Sequence, residues 1–380
     1  MTQGPDPTPI ERWLARALGD DAPRHFGTGW ISGVLAVFLG ATALGAVIVL
    51  HFPDWLTSAE LRARYPLPLV RTLIGLVIGF AFLASCLNLL LRRRKALGLA
   101  GLALTLAAVI LGGTEVEIRG DFTRPYHFGL DWFLLNLLVF ALVFVPLERA
   151  FPLHPGQRTL RAGWTTDLAY FFVSHVGIQL LAFLSLWPAA ALTPWLGLGQ
   201  VATRIASQPV WLQVLELMLL TDLVQYWVHR AFHRLPRLWR FHAIHHSSRE
   251  MDWLAGSRLH LVDVVVTRAL VVVPAFVLGF AEPALYAWLI VIALHAVFNH
   301  VNLRFRLRFL EHWLVTPRFH HWHHAVTPPD RNFAVHFPWL DRLFGTHYLP
   351  EGRWPEELGI RGHPVPDGFG AQFVYPLRRG

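Results

Sequence analysis

Residues 229–246 read HRAFHRLPRLWRFHAIHH, and the rest of the chain is interpreted outward from this stretch. Its first two histidines are four residues apart, so a helix presents both imidazoles on one face. Three more follow at i, i+3 and i+4, and a later RFHHWHH segment repeats that spacing. Imidazole is the commonest metal ligand in proteins, and these spacings bring several nitrogens to one ion. The eight histidines of the three sets are His229, His233, His242, His245, His246, His320, His323 and His324.

The number of imidazoles predicts two metal ions. Eight exceed the four ligands of one tetrahedral zinc, and imidazole suits Zn, Cu, Fe and Ni alike, so the ligands alone do not choose the metal. His300 in FNHVNL and His260 in SRLHLVD are expected at the same site. Asp222 lies two helical turns before His229, where it either orients that imidazole or faces water at a helix end.

Other histidines are weaker candidates. His295 is five residues before His300, a poor helical match. His175 is expected to pack within an apolar span. The remaining ones are expected at surfaces or interfaces: His25, His51, His127, His154, His312, His321, His336, His347 and His363.

Composition places the chain in a membrane. It has 380 residues, 54% of them hydrophobic and 15% charged, whereas soluble domains carry roughly 25% charged residues. The net charge of +8 could suggest nucleic acid, but the arginines flank apolar spans, as the positive-inside tendency predicts. The single cysteine, Cys86, excludes a disulfide framework and a Cys-rich metal site.

Apolar runs predict an all-α, polytopic transmembrane helical bundle. Two further runs, 264–280 and 284–301, are short enough to form a re-entrant hairpin. No apolar segment follows within the first 25 residues, so no cleavable signal peptide is expected. The six predicted spans are residues 30–50, 72–91, 97–113, 132–147, 167–187 and 210–228.

Charge bias predicts the side of the membrane on which the histidines lie. If Arg12, Arg16 and Arg24 keep the N-terminus cytoplasmic, helix parity puts the arginine-bearing connectors on that side as well. All three histidine sets, with Arg304, Arg306, Arg308 and Arg318 before the third, then face the cytoplasm.

The order HRAFH, HAIHHSS, RLH, FNHVN and TPRFHHWHH resembles the fatty acid hydroxylase/sterol desaturase superfamily of membrane di-iron enzymes over roughly residues 146–348. The resemblance implies metal-ligand roles for the eight histidines, His300 and His260. It also implies two iron ions, O2 as co-substrate and hydroxylation or desaturation of a lipid. Electrons would come from a donor such as a cytochrome b5-like protein, or from a ferredoxin with its reductase.

The expected organisation has three regions: about four spans in residues 1–145, a catalytic domain in 146–350 and a tail in 351–380. The alternative functions are a histidine-rich membrane metal transporter or storage protein and a metal-dependent membrane hydrolase. A transporter would need ionisable residues within its spans, and spans one to four contain almost none.

Overall fold

The computed structural model describes residues 29–58, 66–118, 128–305 and 308–378, with residues 8, 9, 11, 12, 62 and 64. His25, His127, Arg16, Arg24 and Arg306 lie outside these residues, as does most of the segment examined for a signal peptide. Apart from two isolated β-bridges, the regular structure of the described residues is helical, which confirms the all-α prediction.

Fifteen helices are present among the described residues. They are α1 (Trp30–His51), α2 (Pro53–Leu56), α3 (Leu67–Leu91), α4 (Ala96–Ile110), α5 (Leu130–Ala150), α6 (Trp164–Val176), α7 (Ile178–Leu196), α8 (Gly199–Ala206), α9 (Val210–Arg234), α10 (Pro236–His246), α11 (Leu261–Val277), α12 (Glu282–Phe298), α13 (Pro317–His323), α14 (Trp339–Leu343) and α15 (Phe369–Val374). Single 3-10 turns lie at Gly113–Glu115, Ala255–Ser257, Leu310–His312 and Tyr375–Leu377.

Four helices are long and apolar enough to cross a membrane, and they coincide with the first four predicted spans. They are Trp30–His51, Leu67–Leu91, Ala96–Glu115 and Leu130–Ala150. The two later apolar runs form the separate helices α11 and α12, and their arrangement as a re-entrant hairpin stays a prediction.

The fifth and sixth predicted spans differ from the prediction. Residues 167–187 are not one helix, because the chain leaves helical geometry at Gly177, between α6 and α7, and glycine is a poor helix former. The sixth extends past residue 228 to Arg234 as α9. This helix is not among the four span-length apolar helices, and Gln213, Glu216 and Asp222 interrupt its apolar surface.

The described residues form two compact units. The N-terminal unit comprises described residues within 9–139 and 175–179. Here α1, α3 and α4 pack through small residues: a Cβ added to Gly101 would lie 2.6 Å from the Cβ of Ala36, so only glycine permits this helix approach. The buried Asn88 amide donates to the Gly29 carbonyl at 2.6 Å and ties α3 to the start of α1.

The second unit, the histidine unit, comprises Thr8 and described residues within 140–174 and 180–380. Leu217 of α9 packs with Ala275 of α11 and with Ala284 and Trp288 of α12. A proline opens both α10 and α13 at the first helical position, Pro236 and Pro317, where its fixed φ suits a helix and no N–H is lost. These two short helices and the end of α9 carry the three histidine sets.

Candidate metal centre

Eight histidines at the ends of three helices, together with His300, meet in the histidine unit. They form two groups. Within each group, one ring nitrogen of every histidine lies within 4.8 Å of the corresponding nitrogens of the others. Group one contains His229, His233, His242, His246 and His323. Group two contains His245, His300, His320 and His324. The groups are adjacent, since the rings of His246 and His324 stack with centroids 4.3 Å apart.

Each i, i+3, i+4 set is divided between the groups. In the α10 set, His242 and His246 join group one while His245 joins group two. In the α13 set the assignment is reversed, and the i+3 residue, His323, joins group one. Residues i and i+4 differ by about 40° around a helix, whereas i+3 and i+4 differ by about 100°. Neighbouring histidines therefore point to different groups.

The Nε2 atoms converge within each group. In group one, Nε2 of His229 lies 3.0 Å from that of His242. In group two, Nε2 of His300 lies 3.0 Å from that of His320 and 3.3 Å from that of His245.

Most rings of group one are oriented by a hydrogen bond from Nδ1–H to an oxygen. The acceptors are Phe333 O for His229 (2.8 Å), Asp330 Oδ1 for His233 (3.1 Å), Asp263 Oδ2 for His242 (2.6 Å) and Arg331 O for His323 (2.8 Å). Such partners fix the tautomer of a metal-ligating histidine, and here they turn the lone pair of Nε2 inward. We assign these tautomers from the hydrogen bonds.

This arrangement fits a bound cation. Neutral imidazole has one N–H, so the facing Nε2 atoms of His229 and His242 are two lone pairs 3.0 Å apart. They repel unless a cation lies between them, and a metal ion sits about 2.0–2.1 Å from each imidazole nitrogen. The buried Nε2 of His323 has no hydrogen-bond partner among the described residues.

Burial keeps the imidazoles in the form that binds metal. Desolvation, followed by the charges of neighbouring histidines, holds the pKa of His246 and His324 well below the usual range. The pKa values of His245 and His320 are lowered in the same way, with burial as the largest cause. Ligand histidines must be neutral, and these side chains are neutral at physiological pH.

Group two lacks most of the outer hydrogen bonds that group one has. His300 donates its Nδ1–H to Ala296 O at 2.8 Å. The Nδ1 atoms of His245, His320 and His324 are buried and have no hydrogen-bond partner in the described part of the structure.

Two predicted site residues lie elsewhere. His260 belongs to neither group: as the N-cap of α11, its Nδ1 accepts the Val262 N–H at 3.1 Å, and its Nε2 donates to Phe373 O. Asp222 does not contact His229. Its carboxylate instead accepts three backbone N–H groups from residues 335–337, which is how a buried carboxylate is stabilised.

Sequence reasoning missed the partners that orient group one. Asp263 lies two residues after Leu261, in the first turn of α11, and belongs to none of the histidine motifs. Asp330 follows a Pro-Pro turn and carries no motif. The other two acceptors are the backbone carbonyls of Arg331 and Phe333, and the identity of a side chain does not reveal what its backbone carbonyl accepts. His295 and His336 pair outside both groups, with Nδ1 atoms 2.7 Å apart.

The comparison with protein families bears on this geometry. The sequence model of the fatty acid hydroxylase family matches residues 214–346, which contain all nine histidines of the two groups. This match and the relatives described below support membership of the fatty acid hydroxylase/sterol desaturase superfamily. Together with four span-length helices, this membership indicates an integral membrane protein.

Several relatives of this superfamily member are enzymes. An ornithine lipid hydroxylase of Rhizobium tropici is 28% identical over 260 residues, 66% of this chain and 77% of its own length. An alkylglycerol monooxygenase of Xenopus tropicalis is 25% identical over 58% of this chain and 46% of its own. A very-long-chain aldehyde decarbonylase of Oryza sativa subsp. japonica is 23% identical over 56% and 74%. No solved structure matches significantly.

The superfamily member is therefore an oxygenase-type oxidoreductase. This confirms the enzyme prediction over the transporter and hydrolase alternatives.

Proposed function

We propose that this protein hydroxylates a membrane lipid with O2, using two iron ions held by group one and group two. The observation that carries the proposal is the pair of adjacent, buried, all-imidazole groups in a superfamily of lipid oxygenases. Zinc has no redox chemistry, whereas imidazole also suits iron. We assign the catalytic domain to residues 146–350.

The overall reaction sets what the protein must provide. Hydroxylation of a C–H bond by O2 consumes two electrons and two protons and yields the alcohol and one water. Bound iron would supply the oxygen chemistry that amino-acid side chains cannot perform. The electrons require a donor, for which a cytochrome b5-like protein or a ferredoxin with its reductase is suitable.

The chain's own residues hold the ligands and exclude water. Residues 357–359 cover the end of α13, where Gly359 N–H donates to His324 O at 3.0 Å and Val326 N–H to Glu357 O. Trp354 packs edge-on against His321, with ring centroids 5.3 Å apart. A dry site favours oxygen chemistry because it prevents proton leakage and side reactions.

An apolar cavity beside group two suits the hydrocarbon part of the substrate. Its volume is about 230 Å³, well above the ~10–15 Å³ that admits a single water molecule. Thr316 and His295 give it two polar points, and the backbone carbonyl of Thr316 accepts the N–H of His320, a member of group two, at 3.0 Å. The apolar lining is Met218, Val291, Phe298, Leu310, Leu314 and Val315.

We favour hydroxylation over desaturation because two of the relatives described above are named for oxygen insertion, as a hydroxylase and a monooxygenase. A polar lipid with long hydrocarbon chains suits both features of the protein, because its chains fit the apolar cavity and the lipid itself resides in the membrane. We also propose that the site faces the cytoplasm, where arginine-bearing loops and soluble electron donors lie.

The test is expression in a bacterial host under 18O2, followed by mass spectrometry of extracted lipids. We expect a lipid that gains one labelled oxygen atom only when the wild-type chain is present. The His323→Ala variant should give no such product. A product that is desaturated without labelled oxygen, or no lipid change with iron-loaded protein, would contradict hydroxylation.

A further inference from the structure

The segment 330–337, DRNFAVHF, runs between α13 and α14 and is called the strap here. Three of the five imidazoles of group one donate their Nδ1–H to it, at Asp330, Arg331 and Phe333. No bond to it from a ring of group two is present among the described residues. The strap therefore orients rings of one group.

The strap is itself held by two fully buried carboxylates. Asp341 accepts the N–H groups of residues 333 and 334 at 2.7 and 2.8 Å. Asp222 accepts those of residues 335, 336 and 337 at 2.8, 3.1 and 2.7 Å. Five successive backbone N–H groups thus donate to the carboxyl groups of two buried side chains.

These bonds limit where the strap carbonyls can lie. Asn332, in the left-handed region at φ 59°, also donates its side-chain amide to Phe319 O and Tyr348 O. A shift of the strap would break several of these bonds together and would move the acceptors of His229 and His323. Among the described residues, neither Asp222 nor Asp341 forms a hydrogen bond with an imidazole of group one. They therefore act on the orientation of its rings through the strap.

We propose that Asp222 and Asp341 are positioning residues that set the metal affinity of group one, and not of group two, by clamping the strap. The proposal rests on the two-metal function above. Group two depends on other parts of the chain: His300 on Ala296 O, and the backbone of His324 on Gly359.

The test measures Fe(II) content and the rate of Fe(II) release to a chelator from the full-length protein in detergent. His323→Ala and His320→Ala first identify which release phase belongs to group one and which to group two. Asp222→Asn replaces one acceptor oxygen by an NH2 group that faces a backbone N–H. We expect it to speed release from group one by roughly 10- to 100-fold and to leave the group-two phase unchanged.

A second variant keeps the test valid if Asp222→Asn fails to fold. Asp330 is at the surface, with its side chain 37% exposed and φ at 57°. Asp330→Gly removes the acceptor of His233 without backbone strain and should speed the same phase. Asp330→Asn keeps an acceptor oxygen and tolerates that φ, so it should restore near-wild-type release. Asp367→Asn, at an exposed carboxylate near Arg249, is the matched control.

Unchanged group-one release in a folded Asp222→Asn protein would overturn the strap proposal, and unchanged release in Asp330→Gly would overturn it where Asp222→Asn does not fold. Equal acceleration of both phases would overturn it as well, because the effect would then be general loosening. A wild-type protein that binds fewer than two Fe(II) ions would instead refute the two-metal function, and this outcome is read before any variant is compared.

Discussion

The carboxylate of Asp263 accepts the Nδ1–H of His242 at 2.6 Å, and both side chains are buried. It joins the first turn of α11 to the middle of α10, and among the described residues it is the buried acidic side chain that accepts a hydrogen bond from a ring of group one.

Asp263→Asn should weaken Fe(II) binding at group one by roughly 10- to 100-fold, because an amide is a weaker acceptor than a carboxylate for the His242 N–H. Thr267 also donates to Asp263, at 3.2 Å, so Thr267→Val serves as a control that keeps the carboxylate. Iron content and lipid product are measured on the same preparations. Full iron retention in Asp263→Asn would show that this bond does not support the ligand.

Three histidine variants separate ligands from structural histidines. His323→Ala and His320→Ala should each lose about one Fe(II) per chain and abolish turnover. His260→Ala should keep both ions, since its ring nitrogens bond the backbone of α11 and Phe373 O. Loss of a helix cap should lower the free energy of unfolding by about 1 kcal/mol. Thermal unfolding measures the loss of stability, and elemental analysis measures the iron content. Loss of iron in His260→Ala would indicate that His260 is a metal ligand.

The cavity predicts a substrate effect that is independent of metal. Val291→Trp fills the space beside Phe298 and Leu314, so we expect a higher KM for long-chain lipid and a shift toward shorter chains, with iron content unchanged. Ile290→Trp, on the exposed face of the same helix at 60% exposure, should behave as wild type. Equal kinetics in both variants would mean that the lipid lies elsewhere.

The His336 imidazole predicts a pH dependence of stability. Burial, followed by the charge of His295, lowers the pKa of His336 from 6.5 to about 3. The unfolded chain therefore binds this proton between those pH values while the folded chain does not, so stability is lost as pH falls through that window. The contribution is at most about 1.4 kcal/mol per pH unit.

His336→Gln should flatten the decline of unfolding free energy with falling pH, measured on the metal-free protein. His363→Asn is the control, because His363 is exposed and asparagine suits its φ of 48°. An identical pH slope in His336→Gln and wild type would contradict the assignment.

The proposed cytoplasmic position of the site is tested by labelling. In a Cys86→Ser background, cysteines at exposed positions 235 and 361 should react with an impermeant reagent only when it is applied from the cytoplasmic side. Labelling of either from the outer face would refute the topology.

The sequence predicted which histidines come together better than it predicted their hydrogen-bond partners. Spacing at i, i+3 and i+4 identified eight histidines because helix geometry alone puts them near one another. It could not reveal which group each histidine joins, since that depends on where α9 and α13 pack. Backbone acceptors such as Phe333 O also depend on tertiary contacts. His260 lies outside both groups, where it caps α11, and its spacing in the sequence does not distinguish a helix cap from a ligand.

The spans were predicted where composition is unambiguous. The first four lack interior charges, and hydrophobic length suffices for them. The break at Gly177 between α6 and α7 has only a weak signal, because apolar helices often contain glycine. The segment 351–380 was expected to be a tail, yet Val365 packs with Tyr170, Ala243 and Ile244 in a buried cluster beside the second histidine set.

That packing has a consequence for biosynthesis. Residues 357–375 leave the ribosome after every histidine of both groups, and they supply Gly359 for His324 and Phe373 for His260. The contacts that cover the end of α13 can therefore form only after all nine histidines have been translated, so the two groups stay incompletely covered until this last part of the chain is made.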